Sequence, residues 1–396
     1  MTATTIGAVA TIFDGPHATP TRTDEGPYFL NISSLSNGRL DLELSDHVSE
    51  DDFEKWTKRV TPVAGDLLFS YETRLGEAAL LPEGVRACLG RRMGLLRFDR
   101  DRVDPAFFLY YYLSPRFQNL IESRTIHGAT VNRIALSTMA DWEIDLPPLS
   151  LQRAIAEVLG ALDDKIAANR KLADTAESLL ATEFQTLGLD EETDEGSSCA
   201  LTDYIDLNPQ CPRVTSPEPV YVDMQKLPTS AMLIDEWDTR PAKGGARFMN
   251  GDTLLARITP CLQNRKTGYV DFLGDGEVAI GSTEYIVMRS KPGVPAELSY
   301  YLATSERFRT YAIRHMVGTS GRQRLSANDL TGYSVRVVDS ESLNRWGSIA
   351  SPLVEQLGVA RDESRTLAAT RDALLPRLMS GELRVRDAER EVEEVL

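Results

Sequence analysis

The chain has 396 residues, 42% apolar and 26% charged, with a formal net charge of −16. That length exceeds one ordinary core and suits two domains of roughly 150 residues plus connectors. No window of about 18 apolar residues exists, so no membrane span is expected. Met1 to Val9 has neither a cationic patch nor an apolar stretch, so no signal peptide is expected either. The cysteines Cys88, Cys199, Cys211 and Cys261 form no CxxC pair, which speaks against zinc or a disulfide framework and fits a reducing cytoplasm.

Along the chain, Leu67 to Tyr71 and Gly94 to Phe98 are short β-type runs bounded by Gly or Asp. Phe107 to Glu122 reads as a helix with one apolar face, and Gly128 to Asn132 as a small polar loop open to a ligand. Pro147-Pro148 ends the first globular stretch, and Ser150 is a plausible N-cap for a long helix. Ile155, Leu159, Leu162, Ile166, Asn169, Ala173, Ala176 and Leu180 then recur at alternating steps of four and three, a heptad seam in which Asn169 can fix register. The acidic segment Asp190 to Ser198 reads as a linker. Beyond it come strands at Val278 to Ile280 and Tyr285 to Arg289, a helix at Glu297 to His315, and a loop at Gly318 to Arg322. A second seam carries Ile349, Leu353, Leu357, Leu367, Leu374 and Leu378, and Pro352 and Pro376 are expected to kink or restart it. The charged tail Arg384 to Leu396 is expected to fray.

The halves repeat with an offset near 190 residues. Gly65-Asp66-Leu67-Leu68 answers Gly251-Asp252-Thr253-Leu254, Tyr111-Tyr112-Leu113 answers Tyr300-Tyr301-Leu302, Arg116-Phe117 answers Arg307-Phe308, and Arg133-Ile134 answers Arg324-Leu325. Their colinear order makes duplication the natural explanation. Around Arg361 the register shifts by four residues, about one helical turn.

Charge is uneven. Asp41 to Glu54 holds seven acids and no Lys or Arg, whereas Arg86 to Arg133 nets +5 and Arg240 to Arg336 nets +6. Charges beyond a Debye length of about 8 Å barely interact, so basic surfaces can coexist with an acidic whole.

No catalytic constellation emerges. There is no HExxH, no GxxxxGK[ST] and no GxGxxG after a strand. Asn208-Pro209-Gln210-Cys211 lacks the second Pro and the aromatic of an amino-methyltransferase motif. Asp66 with Glu72-Thr73-Arg74 lacks the Lys of a nuclease Asp…Glu-x-Lys site. What remains suits recognition of base edges, where Arg pairs with guanine and Asn or Gln with adenine. The candidates are Tyr71, Arg74, Thr130, Asn132 and Arg133 in the first half. In the second they are Arg257, Gln263, Asn264, Arg265 and Lys266, with Ser320, Arg322, Gln323 and Arg324.

Several segments resemble one family, the specificity subunits of type I restriction-modification systems. Asp14 to Pro20 with Gly26 to Leu30, Asn250 to Leu262, and Gly281-Ser282-Thr283-Glu284-Tyr285 are similar to openings and strands of its target-recognition domains. Leu146-Pro147-Pro148-Leu149-Ser150-Leu151-Gln152-Arg153-Ala154-Ile155-Ala156 resembles the start of its central conserved helix, and Arg371 to Leu383 the end of its distal one. The family usually shows Glu-Gln where this chain has Leu151-Gln152, and Asp339-Ser340-Glu341 replaces the Pro-Pro-Leu of the first copy, so the helix starts are expected to differ in cap geometry.

The resemblance implies an α+β architecture with a pseudo-two-fold internal repeat, in which two long antiparallel helices separate two mixed α/β target-recognition domains. Its expected parts are residues 1–148 (first recognition domain), 149–188 (central spacer helix), 189–199 (acidic linker), 200–340 (second recognition domain), 341–383 (distal helix) and 384–396 (charged tail). It implies no active site and no cofactor in the chain. The partners it implies are double-stranded DNA with a bipartite target, two methyltransferase subunits bringing S-adenosylmethionine, and motor-nuclease subunits using ATP and Mg. The helix-pair and partner interface is expected at Ile155, Leu159, Leu162, Ile166, Asn169, Leu180, Leu353, Leu357, Leu367 and Leu374. A helix from Ser150 to about Leu187 would be on the order of 57 Å long, or up to about 17 base pairs at roughly 3.4 Å each. The rival readings are a nuclease or methyltransferase acting alone and a coiled-coil adaptor or repressor.

Overall fold

The computed structural model describes residues 2–16, 18–128, 130–192, 196–241, 244–319 and 321–396. It divides into one unit made of residues 1–166 and 366–396 and a second made of residues 167–365. Among the described residues no helix is long and apolar enough to cross a membrane.

Each unit contains the same antiparallel four-stranded sheet. In the first its order is Ala10–Asp14, Met93–Phe98, Leu67–Ser70, Ala78–Leu80. In the second it is Ile205–Leu207, Tyr285–Ser290, Asp252–Ala256, Thr267–Tyr269. Every residue of Leu67–Ser70 and of Asp252–Ala256 is buried, so these read as continuous apolar runs rather than alternating ones. A second sheet in each unit includes one parallel pair, Tyr28 to Leu30 against Ala87–Leu89 and Val220–Val222 against Ala279–Gly281. The duplication inferred from scattered matches is thus a duplication of topology.

The repeated Gly-Asp has a structural cause. Asp66 Oδ2 accepts from Val63 N at 2.8 Å and Asp252 Oδ2 from Met249 N at 2.8 Å, each closing a tight turn. Gly65 and Gly251 sit at φ 85° and 86°, where a side chain is disfavoured. Each carboxylate also pairs in a fork with an Arg of the neighbouring strand: Asp66 with Arg97 at 3.0 and 2.6 Å, Asp252 with Arg289 at 2.6 and 2.7 Å. Asp66 is therefore structural, and so is Asn208, which donates its N–H to Val287 O and accepts from Val287 N.

The single helices expected at Phe107 to Glu122 and Glu297 to His315 are each two, Pro105–Leu113 with Pro115–Arg124 and Leu298–Thr304 with Glu306–Arg314. Ser114 and Ser305 break them in extended conformation, and in the first copy Pro115 disfavours helical geometry at Ser114.

The central helix spans Leu149–Thr186 and the distal helix Ser340–Ser380. Ser150 is not the cap. It lies in the first turn, where the Pro148 carbonyl accepts from Leu151 N and Gln152 N. Gln152, 1% exposed, fixes this start. Its Nε2 donates to Arg102 O and Pro147 O, and its Oε1 accepts from Asp104 N. In the second copy Asp339 caps the helix instead, accepting from Ser342 N at 2.8 Å, so the two starts do differ. The distal helix runs unbroken through Pro352 and Pro376. Each Pro forfeits a hydrogen bond, but Trp346, Ala350, Val354 and Leu357 around the first, and Leu374, Leu375, Leu378 and Met379 around the second, are buried and hold the helical path.

In the first unit Ile155, Leu159, Leu162 and Ile166 share a core with Leu367 and Leu374. In the second, Leu180 shares one with Leu357 and the half-buried Leu353. The N-terminal half of one long helix therefore packs on the C-terminal half of the other, and conversely. Asn169, 7% exposed, donates to Glu363 Oε2 at 2.7 Å and lies within reach of Ala360 O and Ser364 Oγ. A one-turn slip would strand this amide among apolar groups, which is how a seam Asn sets register.

The acidic linker is anchored on both sides, and the charged tail is not frayed. In the acidic segment, Asp190 accepts from Tyr333 Oη and pairs with Arg307, and Ser198–Ala200 forms a strand with Ser334–Arg336. Residues 193–195 of it lie outside the described residues. The charged tail forms a helix, Val385–Glu393, whose Ala388 and Val392 are buried in the first unit's core.

Burial pushes the Glu177 carboxyl up to about 7, partly offset by the hydrogen bond it accepts from Met232 N at 3.0 Å. An unfolded chain titrates the group near 4.5. Between those values the fold binds the proton more tightly, so stability falls as pH rises through the window. Glu177→Gln keeps an acceptor for Met232. It should stabilise the protein above pH 7 by on the order of 2 kcal/mol and flatten that part of the profile. Denaturant melts at pH 5 and pH 8 measure this, and a variant with the wild-type pH profile contradicts the cost assigned to Glu177.

Candidate nucleic-acid interface

In each unit one turn and one loop are stitched together by matching backbone bonds. The turns follow the central strand, at residues 71–77 and 257–266. Tyr71 N donates to Arg92 O, Ile134 N to Tyr71 O and Thr73 N to Asn132 O. Correspondingly, Arg257 N donates to Glu284 O, Leu325 N to Arg257 O and Thr259 N to Gln323 O. The pairs Tyr71 and Arg257, Arg92 and Glu284, Asn132 and Gln323, and Arg133 and Arg324 are therefore equivalent places with different side chains.

The side chains divide into three groups. Some are spent on the fold. Tyr71 is 6% exposed in the core, so its ring faces inward rather than toward a base. Arg74 donates to Ile32 O and Ser33 O and pairs with Glu77. Lys266 donates to Met224 O at 2.6 Å and to Gln225 O. Sequence alone cannot tell a cation turned to water from one satisfying carbonyls. Others stand exposed on the turn and loop: Thr130, Asn132 and Arg133 in the first unit, and Gln263, Asn264, Arg265 and Arg322 in the second. Ser320 lies outside the described residues.

The third group is an ion cluster whose centre the sequence reading passed over. Glu284, 19% exposed in its side chain, accepts from Arg324 Nη2 at 2.7 Å and Nε at 3.1 Å, and from Arg257 Nε at 3.1 Å. Burial alone would raise its carboxyl, but Arg324 and Arg257 together hold it below the usual range. The Arg324 side chain is 63% exposed, so one guanidinium is braced from behind while it faces water. Half-buried Gln323 anchors the same loop, its N–H donating to Thr259 Oγ1 at 2.8 Å. In the first unit the ion pair at the equivalent place is Glu72 with Arg92 at 3.1 Å. No local signal marks Glu284 in the sequence: it is the last of four acids between Lys266 and Arg289, a stretch without Lys or Arg.

Preorganised forks, amides and hydroxyls on a turn and a loop can read base edges, while neighbouring exposed cations contact phosphates.

Residues 5–178 match the family model of the type I restriction modification DNA specificity domain. The chain is 32% identical over 108 residues to the putative type I restriction enzyme MjaX specificity subunit of Methanocaldococcus jannaschii, covering 27% of this chain and 24% of that protein. It is 25% identical over 153 residues to the MjaVIII specificity subunit of the same organism, covering 37% and 36%. The matched stretches thus span between about a quarter and a third of those relatives' own lengths. Over 95% of both chains, its fold is similar to that of the type I restriction-modification S subunit from M. genitalium, with a TM-score of 0.60 at 17% identity. Residues 5–178 are thus similar to the type I restriction modification DNA specificity domain, and the fold of the chain is similar to that of an S subunit.

Proposed function

We propose that the chain is the non-catalytic specificity subunit of a type I restriction-modification complex, working in the cytoplasm on a bipartite double-stranded DNA target. Each unit reads one half of the target with its turn and loop. The paired helices set the gap between the halves and dock two methyltransferase subunits, which bring S-adenosylmethionine. Motor-nuclease subunits, with ATP and Mg, join through them. The supporting observation is the duplicated turn-and-loop scaffold, identical in backbone bonding and different in side chains at equivalent places. Such a device suits two half-targets of different sequence.

Exchanging residues 200–340 for those of another family member tests this. The exchanged chain is co-expressed with its methyltransferase subunit, and methylated bases are mapped. The expected result is a target changed in one half only. A target altered in both halves, or in neither, defeats the assignment of one unit to one half. DNA methylation or cleavage by the purified chain without partners defeats the non-catalytic reading.

A further inference from the structure

The two copies differ in one residue beneath the recognition turn, half-buried in the first unit and buried in the second. In the first unit the place is held by Gln118, whose Nε2 donates to Gly76 O at 3.2 Å and Tyr112 O at 2.8 Å. That side chain is neutral, and its amide nitrogen meets two carbonyls. In the second unit the matching residue is Arg309, in the same helix and two places after Arg307, which answers Arg116. Arg309 is 5% exposed. Its Nη2 donates to Gln263 O at 3.3 Å, but its Nε and Nη1 have no hydrogen-bond partner among the described residues. No carboxylate pairs with it among the described residues. The charges that act on it are Arg265, of like sign, and Glu306, which is engaged with Arg265 at 3.2 Å.

Burying a cation without a counter-charge is costly. Gln118 shows that the fold fills this place with a neutral amide that meets its carbonyls. The second unit instead carries a charge directly under a turn three residues longer than its counterpart, bearing the exposed residues Gln263, Asn264 and Arg265. The Arg265–Glu306 pair lies in water, with side chains 58% and 78% exposed, and an exposed pair of this kind is easily exchanged for another anion.

We propose that Arg265 and the buried Arg309 guanidinium beneath its turn form a site for one phosphate of a DNA backbone, in the second unit only. Arg265 leaves Glu306 to contact the phosphate, and Arg309 supplies positive charge from below, where water screens it little. The site adds affinity without reading sequence. This inference rests on the DNA-binding function proposed above.

The test uses the full chain, a duplex containing its mapped target and an unrelated duplex of equal length, each titrated across about 50 to 200 mM salt. Arg309→Gln installs the residue that the first unit already accommodates. The expected result has two parts of opposite sign. The variant melts at the same temperature as wild type or higher, because an uncompensated buried charge is gone. It binds both duplexes about three- to tenfold more weakly at about 150 mM salt, with the slope of log Kobs against log salt shallower by about one contact. The ratio of affinities for the two duplexes is unchanged. Arg309→Lys, which keeps the charge, retains most of the wild-type slope. An unchanged slope in Arg309→Gln while wild type binds normally overturns the phosphate site and leaves the wider function standing. A lowered melting temperature with proportionately weaker binding makes Arg309 a structural residue and also overturns it. Failure of the wild-type chain to bind either duplex overturns the function proposed above, and this site with it.

Discussion

Asp252→Ala is expected to destabilise the protein by about 3–5 kcal/mol, the usual cost of removing one member of a buried, hydrogen-bonded charge pair. Asp252 is fully buried. Its carboxylate meets Arg289 through two bonds and also accepts from Met249 N. Burial raises its pKa despite the Arg289 hydrogen bond that opposes it, so the ion is retained at a cost that only its partners offset. Removing it leaves the Arg289 side chain, 29% exposed, without its fork and the Met249 N–H without an acceptor. Asp66→Ala should cost less, because Arg97 is 37% exposed and also donates to Thr61 O. Urea unfolding of both variants gives the comparison. A loss below about 1 kcal/mol for Asp252→Ala, or a larger loss for Asp66→Ala, is incompatible with this ranking.

Glu284→Ala should collapse discrimination between DNA sequences while leaving the chain able to bind DNA. The carboxylate braces Arg324 through a two-bond fork and Arg257 through one bond. Without it, both guanidiniums gain rotamer freedom and the turn gains positive charge. Affinity for phosphate then rises, and the ordered presentation of a fork to a base edge is lost. A bidentate base contact is worth about 1–3 kcal/mol of discrimination, so the ratio of target to unrelated affinity should fall about 10- to 100-fold. Glu284→Gln, which keeps an acceptor but not the charge, should lie between. Competition binding with the two duplexes reads the ratio directly, and a ratio within about twofold of wild type would falsify the bracing role.

These two residues also mark what was legible in the sequence. Gly65-Asp66 and Gly251-Asp252 stood out because a tight turn and a buried fork demand particular residue types at fixed spacing. The seam residues were visible for a similar reason, since a helix pair imposes a period. The recognition cluster is different in kind. Arg74 and Lys266 were indistinguishable from Arg133 and Arg322 as letters, because the carbonyls of Ile32 and Met224 that the first two satisfy come from distant chain. Tyr71 reads as a polar aromatic beside a strand, and only tertiary packing turns it inward. Glu284 carries a sign opposite to the one sought in a DNA-binding stretch, and its role appears only when Arg257 and Arg324 meet across 67 residues of sequence. Pro352 and Pro376 do not restart the helix, because local propensity is weak against a buried seam.

The sharing of the long helices has a consequence for synthesis. The second unit is one unbroken stretch, residues 167–365, whereas the first is interrupted: its core needs Leu367, Leu374, Leu378, Ala388 and Val392. On a ribosome, residues 1–166 emerge first but cannot finish packing until residues 366–396 follow. At about 5–20 residues per second that delay is roughly 12 to 46 s. The earlier-made unit is thus the later to close. In the interval the apolar face carried by Ile155, Leu159, Leu162 and Ile166 waits for its partner strand of helix, which makes that face the place where a chaperone or a second nascent chain would compete with the chain's own end.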